Sequence, residues 1–100
     1  MNIVVDLHDV AAEEGRVRSY VTHTLREALG PHATRFVRAE VGLARRHDAV
    51  ACSIRLHARR ADAVVRVEAA APRLHAAIER AAWRAWDAIR SVARAGAVTA

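Results

Sequence analysis

The order of hydrophobic periods along the chain is the feature that most restricts its fold. Residues 2–8 alternate between apolar and polar, residues 13–29 repeat at helical spacing, and three short alternating segments follow. Helical spacing returns over residues 72–95. Alternation is typical of strands with one buried face, and a 3.6-residue period is typical of amphipathic helices. The predicted element order is therefore β-α-β-β-β-α.

The strands are predicted to form one sheet with a single apolar face. The inward residues are Ile3, Val5 and Leu7, then Val37, Ala39, Val41 and Leu43 near 36–44, then Val50, Cys52, Ile54 and Leu56 near 49–58, and finally Val65 and Val67. A sheet with one apolar face is covered on one side, so both helices are predicted to pack there. The first strand reaches the second through a helix and is predicted to pair parallel, and the others antiparallel. This is an α+β fold with a four-stranded mixed sheet.

The two helices are defined by apolar stripes and by one strong boundary. The stripes are Val17, Tyr20, Val21, Leu25, Ala28 and Leu29 in the first helix, and Leu74, Ala77, Ile78, Ala81, Ala85, Ala88, Ile89 and Val92 in the second. Gly30-Pro31 is predicted to end the first helix, because glycine accepts a left-handed cap and proline cannot continue a helix. One domain over 1–100 is predicted, with residues 96–100 as a frayed tail.

Composition narrows the choice of partners and compartment. All 16 basic residues are arginine, against 11 acidic residues, which gives a net charge of +5. A small basic domain is suited to a polyanion, although the same charge also serves solubility alone. There is no secretory leader and no apolar segment of membrane-spanning length, so a cytoplasmic protein without a membrane partner is predicted.

No catalytic or cofactor signature is present in the sequence. Glycine-rich phosphate loops, nucleophile elbows and His-Glu-x-x-His pairs are all missing, and the six histidines are scattered. Cys52 is the only cysteine and alternates with apolar neighbours, so it is predicted to be a buried small hydrophobe. We therefore expect no enzyme activity, no metal and no cofactor.

The outward surfaces of the two helices carry the candidate binding residues. The last helix has Trp83 among arginines, and the first helix adds further arginines on its solvent side. The candidate RNA-binding residues are Arg18, Arg26, Arg80, Arg84, Arg90, Arg94 and Trp83. Basic helices grip RNA by its backbone, and an exposed tryptophan stacks on a base or fills a partner's pocket. Trp83 folded over the sheet edge or beneath arginine stems is the alternative.

Three segments resemble the ribosome hibernation-promoting factor family, also called ribosome-associated inhibitors or sigma-54 modulation proteins. They are Met1-Asn2-Ile3, Val17-Arg18-Ser19-Tyr20-Val21 and Leu74-His75-Ala76-Ala77-Ile78-Glu79. The resemblance covers nearly the whole chain and matches the short form of the family, which lacks a C-terminal dimerisation domain. It implies the same β-α-β-β-β-α fold. It also implies binding to the small ribosomal subunit near the decoding centre, and silencing of translation under stress by steric occlusion.

The chain departs from the basic pattern of that family. Similar proteins carry a row of basic residues along the two helices, at positions that a gap-free placement equates with Thr24, Glu27, Gly30, Arg84, Asp87 and Ser91. Only Arg84 keeps the charge. Two functions therefore stay open: a ribosome-associated inhibitor that contacts ribosomal RNA, or a diverged protein-interaction module on the same fold. A monomer or weak homodimer without DNA sequence specificity is expected in either case.

Overall fold

The element order of the structure is the one predicted from the hydrophobic periods. The computed structural model describes residues 1–60 and 63–99, with side chains described up to residue 91. The elements are β1 (Asn2–His8), α1 (Glu14–Leu29), a 3₁₀ segment (Gly30–Arg35), β2 (Phe36–Arg46), β3 (Ala49–Ala58), β4 (Val64–Ala71) and α2 (Leu74–Thr99). The predicted α+β fold is thus confirmed, and the 3₁₀ segment is an addition to it.

The four strands form one mixed sheet in the order β1-β2-β3-β4. Strand β1 pairs parallel to β2, with Val5 opposite Val41. Strand β3 pairs antiparallel to both neighbours, so that Ile54 lies opposite Val41 on one side and Val67 on the other. The parallel pair follows from the α1 crossover, and the antiparallel pairs follow from the short connections. The predicted pairing is confirmed.

Both helices cover the same face of the sheet, and the core lies between the two layers. Helix α1 packs on β1 and on α2, whereas α2 packs on β3 and β4. Val21 and Leu25 of α1 and Ile78 of α2 are almost fully buried. Alanines at 77, 81, 82 and 85 have no exposed surface, so α2 approaches the sheet closely. Burial of one leucine or isoleucine side chain contributes roughly 1.5–3 kcal/mol.

The predicted boundary at Gly30 is confirmed by its backbone. Gly30 has a φ of 54°, and its N–H group donates to the carbonyl oxygen of Arg26. A residue with a β-carbon is strained there, so glycine is required at the position where α1 ends. Gly30 also begins the 3₁₀ segment, with Pro31 as its second residue, and this segment returns the chain to the start of β2.

The predicted inward position of Val37 is wrong. The pairing between β2 and β3 shifts register between Phe36 and Arg38, so two consecutive side chains point outward. Val37 is 41% exposed, whereas Phe36 is 5% exposed and occupies the core position instead. A bulge of this kind inserts one residue and reverses the alternation on its far side, which a strictly alternating pattern does not anticipate.

Helix α2 is longer than its apolar period predicts. The period ends near residue 95, whereas the helix continues to Thr99. Ala100, the last residue of the predicted tail, lies outside the described residues. The side chains of Val92 and Arg94 are likewise not described. Among the residues of the structure, no helix is sufficiently long and apolar to cross a membrane.

Candidate nucleic-acid interface

Helices α1 and α2 lie side by side on the sheet and are joined by a cluster around Tyr20. The Tyr20 hydroxyl donates a 2.6 Å hydrogen bond to the Glu79 carboxylate. The His75 ring meets the Tyr20 ring edge-on, with 4.3 Å between the ring centres. The two helix surfaces singled out in the sequence therefore belong to one side of the molecule, but polar and aromatic residues line the seam between them.

Two of the candidate arginines lie on α1 and line a shallow depression together. The other residues of this depression are Ser19, Thr22, His23 and Glu27, so one carboxylate lies beside the two arginines, and no residue of α2 contributes to it. The Arg18 guanidinium also lies 3.4 Å from the Glu14 carboxylate one turn earlier. Exposed pairs of this type contribute little to stability, typically about 0.3–0.5 kcal/mol in a helix. The Arg18 side chain is therefore accessible to another partner.

Two further candidates, Arg80 and Arg84, reach the edge of the sheet. Arg80 donates to the carbonyl oxygen of Ala70 over 2.9 Å, and Arg84 donates to the carbonyl oxygen of Glu68. Both acceptors belong to β4, the last strand of the sheet. These arginines thus occupy backbone acceptors that an edge strand otherwise offers to another chain. A guanidinium has five N–H donors, so each retains donors for a phosphate.

The remaining arginine candidates lie toward the end of α2. Arg90 is exposed and lies 3.4 Å from the Asp87 carboxylate one turn earlier. Ser91 is also occupied within the helix, because its hydroxyl donates to the Asp87 backbone carbonyl. Arg94 lies beyond the last described side chain. Asp87 therefore offsets part of the positive charge at the position where the family pattern expects a basic residue.

Trp83 is exposed, and it lies in the groove between the helices. Its side chain is 55% exposed and lines a cavity together with residues of α1, so it does not fold over the sheet edge. The residues around this groove are Tyr20, His23, Thr24, Glu27, Ala28, Glu79 and Trp83. None of them is an arginine. We call this cavity the seam groove.

The seam groove separates the arginines into two borders. Arg18 and Arg26 lie on one side, and Arg80 and Arg84 lie at the opposite, β4 side. Thr24 and Glu27, two positions where similar proteins carry basic residues, line the groove, so the centre of this surface has no arginine. Sequence reasoning missed Glu79 and the groove role of Tyr20; the i to i+4 spacing of Glu79 and Trp83 was the available signal.

Burial and hydrogen bonding perturb two ionisable groups near the core and the seam. The hydrogen bond to Glu79 is the main reason that the pKa of Tyr20 is raised above its ordinary value, with partial burial adding to it. Burial raises the pKa of the Cys52 thiol to about 12. Cys52 has no exposed surface, so the predicted buried hydrophobe is confirmed and the thiol is unsuited to nucleophilic chemistry.

The open face of the sheet carries cross-strand charge pairs. A ring nitrogen of His57 on β3 lies 2.5 Å from the Glu40 carboxylate on β2. Arg46 lies 3.8 Å from the Glu68 carboxylate. Within the described part of the chain, no three histidine, cysteine or acidic side chains are grouped to hold a metal ion. The candidate RNA-binding residues all belong to the two helices and lie away from this face.

Comparison with known proteins identifies solved structures with a similar fold. No family model and no curated protein sequence matches the chain. The N-terminal domain of Protein Y from Thermus thermophilus is similar in structure, with a TM-score of 0.74 and 23% identity over 92% of this chain and 99% of that one. A ribosomal subunit interface protein from Coxiella burnetii has a TM-score of 0.81 and 7% identity over 94% of this chain and 99% of its own. The resemblance stated from the sequence is thereby confirmed at the level of the fold.

Proposed function

We propose that this protein associates with the ribosome. The observation that carries the proposal is the fold, which matches a ribosomal subunit interface protein over 94% of this chain at a TM-score of 0.81. The same fold is found in the N-terminal domain of Protein Y. Similarity of fold alone leaves the function open, so the surface must supply the rest of the argument.

The finer proposal is that the chain binds the small ribosomal subunit near the decoding region and inhibits translation under stress by occupying that site. Six arginines would carry the contact: Arg18, Arg26, Arg80, Arg84, Arg90 and Arg94. Trp83, the seventh residue predicted from the sequence, lies in the seam groove. Arginine forks match phosphate oxygens, and such contacts read the RNA backbone without reading sequence. Inhibition would be steric, so neither catalysis nor a cofactor is required.

The two basic borders define how such an RNA contact would be made. Phosphates would be held beside Arg18 and Arg26 on one side and beside Arg80 and Arg84 on the other. Glu79 lies between them, and Glu27 lines both the groove and the depression that holds Arg18 and Arg26. Both carboxylates repel a phosphate backbone. The RNA would therefore span the seam groove without entering it. Its affinity would be lower than that for a continuous basic surface.

Co-sedimentation with purified small ribosomal subunits tests this proposal. With about four phosphate contacts, we expect binding to weaken roughly 100-fold between 50 and 200 mM monovalent salt. The double variant Arg26→Glu/Arg90→Glu should abolish binding, since neither residue bonds to the sheet edge. Arg38→Glu/Arg66→Glu makes the same charge change on the open sheet face and should leave binding nearly unchanged. Protein that stays unbound at low salt, or equal loss in both variants, would contradict the proposal.

The second candidate function is a protein-interaction module on the same fold. The observation that favours it is the seam groove, where an exposed tryptophan lies beside two carboxylates in place of a continuous positive stripe. Exposed aromatic residues in pockets are typical anchors of protein interfaces. Under this alternative, Arg26→Glu/Arg90→Glu would leave partner binding largely intact, whereas Trp83→Ala would remove it.

A further inference from the structure

The seam groove has the composition of a site for a positively charged side chain. Its volume is about 280 Å³, and its walls come from α1 and α2 alone. Two carboxylates, from Glu27 and Glu79, lie in a protein whose net charge is +5. The groove is therefore a local reversal of the charge that dominates the rest of the molecule.

The Glu79 carboxylate is held in place by the groove itself. One of its oxygens accepts the 2.6 Å hydrogen bond from Tyr20, and the Tyr20 ring is in turn packed edge-on against His75. A carboxylate accepts about four hydrogen bonds in total, so the Tyr20 bond leaves most of its acceptor capacity open. Glu79 is thus an oriented acceptor, which lowers the entropy lost when a ligand binds.

Trp83 supplies an aromatic surface one helical turn from that carboxylate. The residues are four apart on α2 and line the same cavity, so the indole and the carboxylate lie next to each other. The indole is 55% exposed. A tryptophan face attracts a cation electrostatically, and arginine adds planar stacking to this attraction. The indole can stack on the face of a guanidinium, while the carboxylate accepts hydrogen bonds from its edge.

We propose that the seam groove binds an arginine side chain presented by a partner protein. The guanidinium stacks on Trp83 and donates to the Glu79 carboxylate, and Glu27 on the facing helix adds a second negative charge. Arginine is favoured over lysine because a planar guanidinium can stack on the indole and donate two hydrogen bonds to the carboxylate, whereas an ammonium group is a compact point charge. This site is independent of the proposed RNA contact, which uses the arginines outside the groove.

The charge of the groove disfavours a nucleic acid as its occupant. A base stacked on Trp83 would bring its phosphate toward Glu27 and Glu79, and the residues of the groove include no arginine to offset these carboxylates. Arg18 and Arg26 border Glu27 from the neighbouring depression on α1. His23 lies 3.2 Å from Glu27 and is the basic residue among those that line the cavity. A cationic partner meets complementary charge, whereas an anionic one meets repulsion.

An NMR titration with a matched pair of peptides tests the assignment. The probes are the blocked pentapeptide Gly-Gly-Arg-Gly-Gly and its citrulline analogue, which has nearly the same shape without the charge. We expect the arginine peptide to shift the indole N–H signal of Trp83 and the amide signal of Thr24. The indole signal of Trp86, which packs against His32 with ring centres 5.0 Å apart, should stay in place. The citrulline peptide should shift none of them.

Three variants assign the binding to its residues. Trp83→Ala and Glu79→Gln should each weaken arginine-peptide binding at least roughly fivefold, read from the Thr24 amide signal. Glu13→Gln removes the same charge at the start of α1, outside the groove, and should have no effect. Circular dichroism of each variant confirms that the helices are intact. Equal binding of the citrulline peptide, or wild-type affinity in Glu79→Gln, would overturn the proposal.

Two other occupants give distinct signals in the same experiment. A second copy of this chain would shift the Trp83 and Thr24 signals when the protein alone is concentrated. A nucleic acid would shift them on addition of a uridine hexanucleotide, and Glu79→Gln would then strengthen the binding. Either result would overturn the assignment to an arginine of a partner protein.

Discussion

Tyr20 and Glu79 join the two helices of this protein through one short hydrogen bond. The phenol donates over 2.6 Å to the carboxylate of a residue 59 positions later. Because ionised Tyr20 would lose this bond and repel Glu79, the pKa of Tyr20 is raised above 10.0. The contact also orients the carboxylate that the proposed arginine site requires.

Removing the Tyr20 hydroxyl should loosen the contact between the helices without disturbing the core. For Tyr20→Phe we expect a loss of about 0.5–1.5 kcal/mol in the free energy of unfolding, the usual contribution of one hydrogen bond. Urea denaturation measures the change, and Ser19→Ala, an exposed hydroxyl deletion on the same helix, is the control. An unchanged stability would mean that the bond has no net effect in water.

The same pair predicts a dependence of stability on alkaline pH. Since the folded-state pKa of Tyr20 is higher than its unfolded value of 10.0, its contribution is fully present below pH 10 and is lost as the pH rises through the folded-state pKa. Tyr20→Phe should lack this part of the decline, and a thermal unfolding series between pH 8 and pH 11 compares the two proteins. Identical pH curves would contradict the raised pKa.

Two glycines at opposite ends of α1 should respond in opposite directions to substitution by alanine. Gly30 has a φ of 54° and ends the helix, so Gly30→Ala should destabilise by about 1–3 kcal/mol through backbone strain. Gly15 lies in the first turn, and an added β-carbon there meets no atom within 4 Å. Gly15→Ala should therefore stabilise by about 0.4–1 kcal/mol. Urea denaturation of both variants checks the sign, and a stable Gly30→Ala protein would contradict the strain.

Removing the two arginines at the edge of the sheet should make the protein self-associate. Arg80→Ala/Arg84→Ala frees the carbonyl groups of Ala70 and Glu68 on β4, and unpaired edge groups promote strand pairing between molecules. We expect a higher average mass than wild type in sedimentation equilibrium at equal concentration. The control Arg16→Ala/Arg18→Ala removes two arginines from α1 and should behave as wild type. Equal masses in all three proteins would show that the arginines do not protect the edge.

Glu40 should titrate at a lower pH than an ordinary glutamate. The hydrogen bond from His57 is the main cause of its lowered pKa, and Arg38 and Arg55 add to it. Stability from this pair is present above the unfolded pKa and is lost as the pH falls through the folded-state value. NMR titration of the side-chain carboxyl carbon measures the midpoint, and His57→Ala should move it upward. A midpoint that does not respond to this substitution would rule out His57 as the cause.

The fold was predictable because its determinants are periodic and local. Alternation at Val50, Cys52, Ile54 and Leu56 identifies one buried face of β3, and all four are buried. Gly30 could be assigned as a helix end because few residues accept its backbone conformation. Val37 could not be placed, because a bulge between Phe36 and Arg38 reverses the alternation and depends on pairing with β3.

The surface was only partly predictable, since its character depends on neighbours distant in the chain. The sequence indicates that Arg80 and Arg84 are exposed basic residues. It does not indicate that they donate hydrogen bonds to backbone carbonyl groups of β4. The exposure of Trp83 followed from its place on the helix. That it shares a groove with Glu27 of α1 did not, because the relative position of two helices is decided by packing on the sheet.

The unbroken strand order β1-β2-β3-β4 has a consequence for how the molecule assembles. Each strand hydrogen-bonds to the strand that precedes it in the sequence. The sheet can therefore be extended at one edge, and no strand has to be inserted between two that are already paired. The second layer closes over β3 and β4 only when α2 arrives. Proteolytic cleavage just before Leu74 would leave Val50, Ala69 and Ala71 without cover, and the truncated product should precipitate.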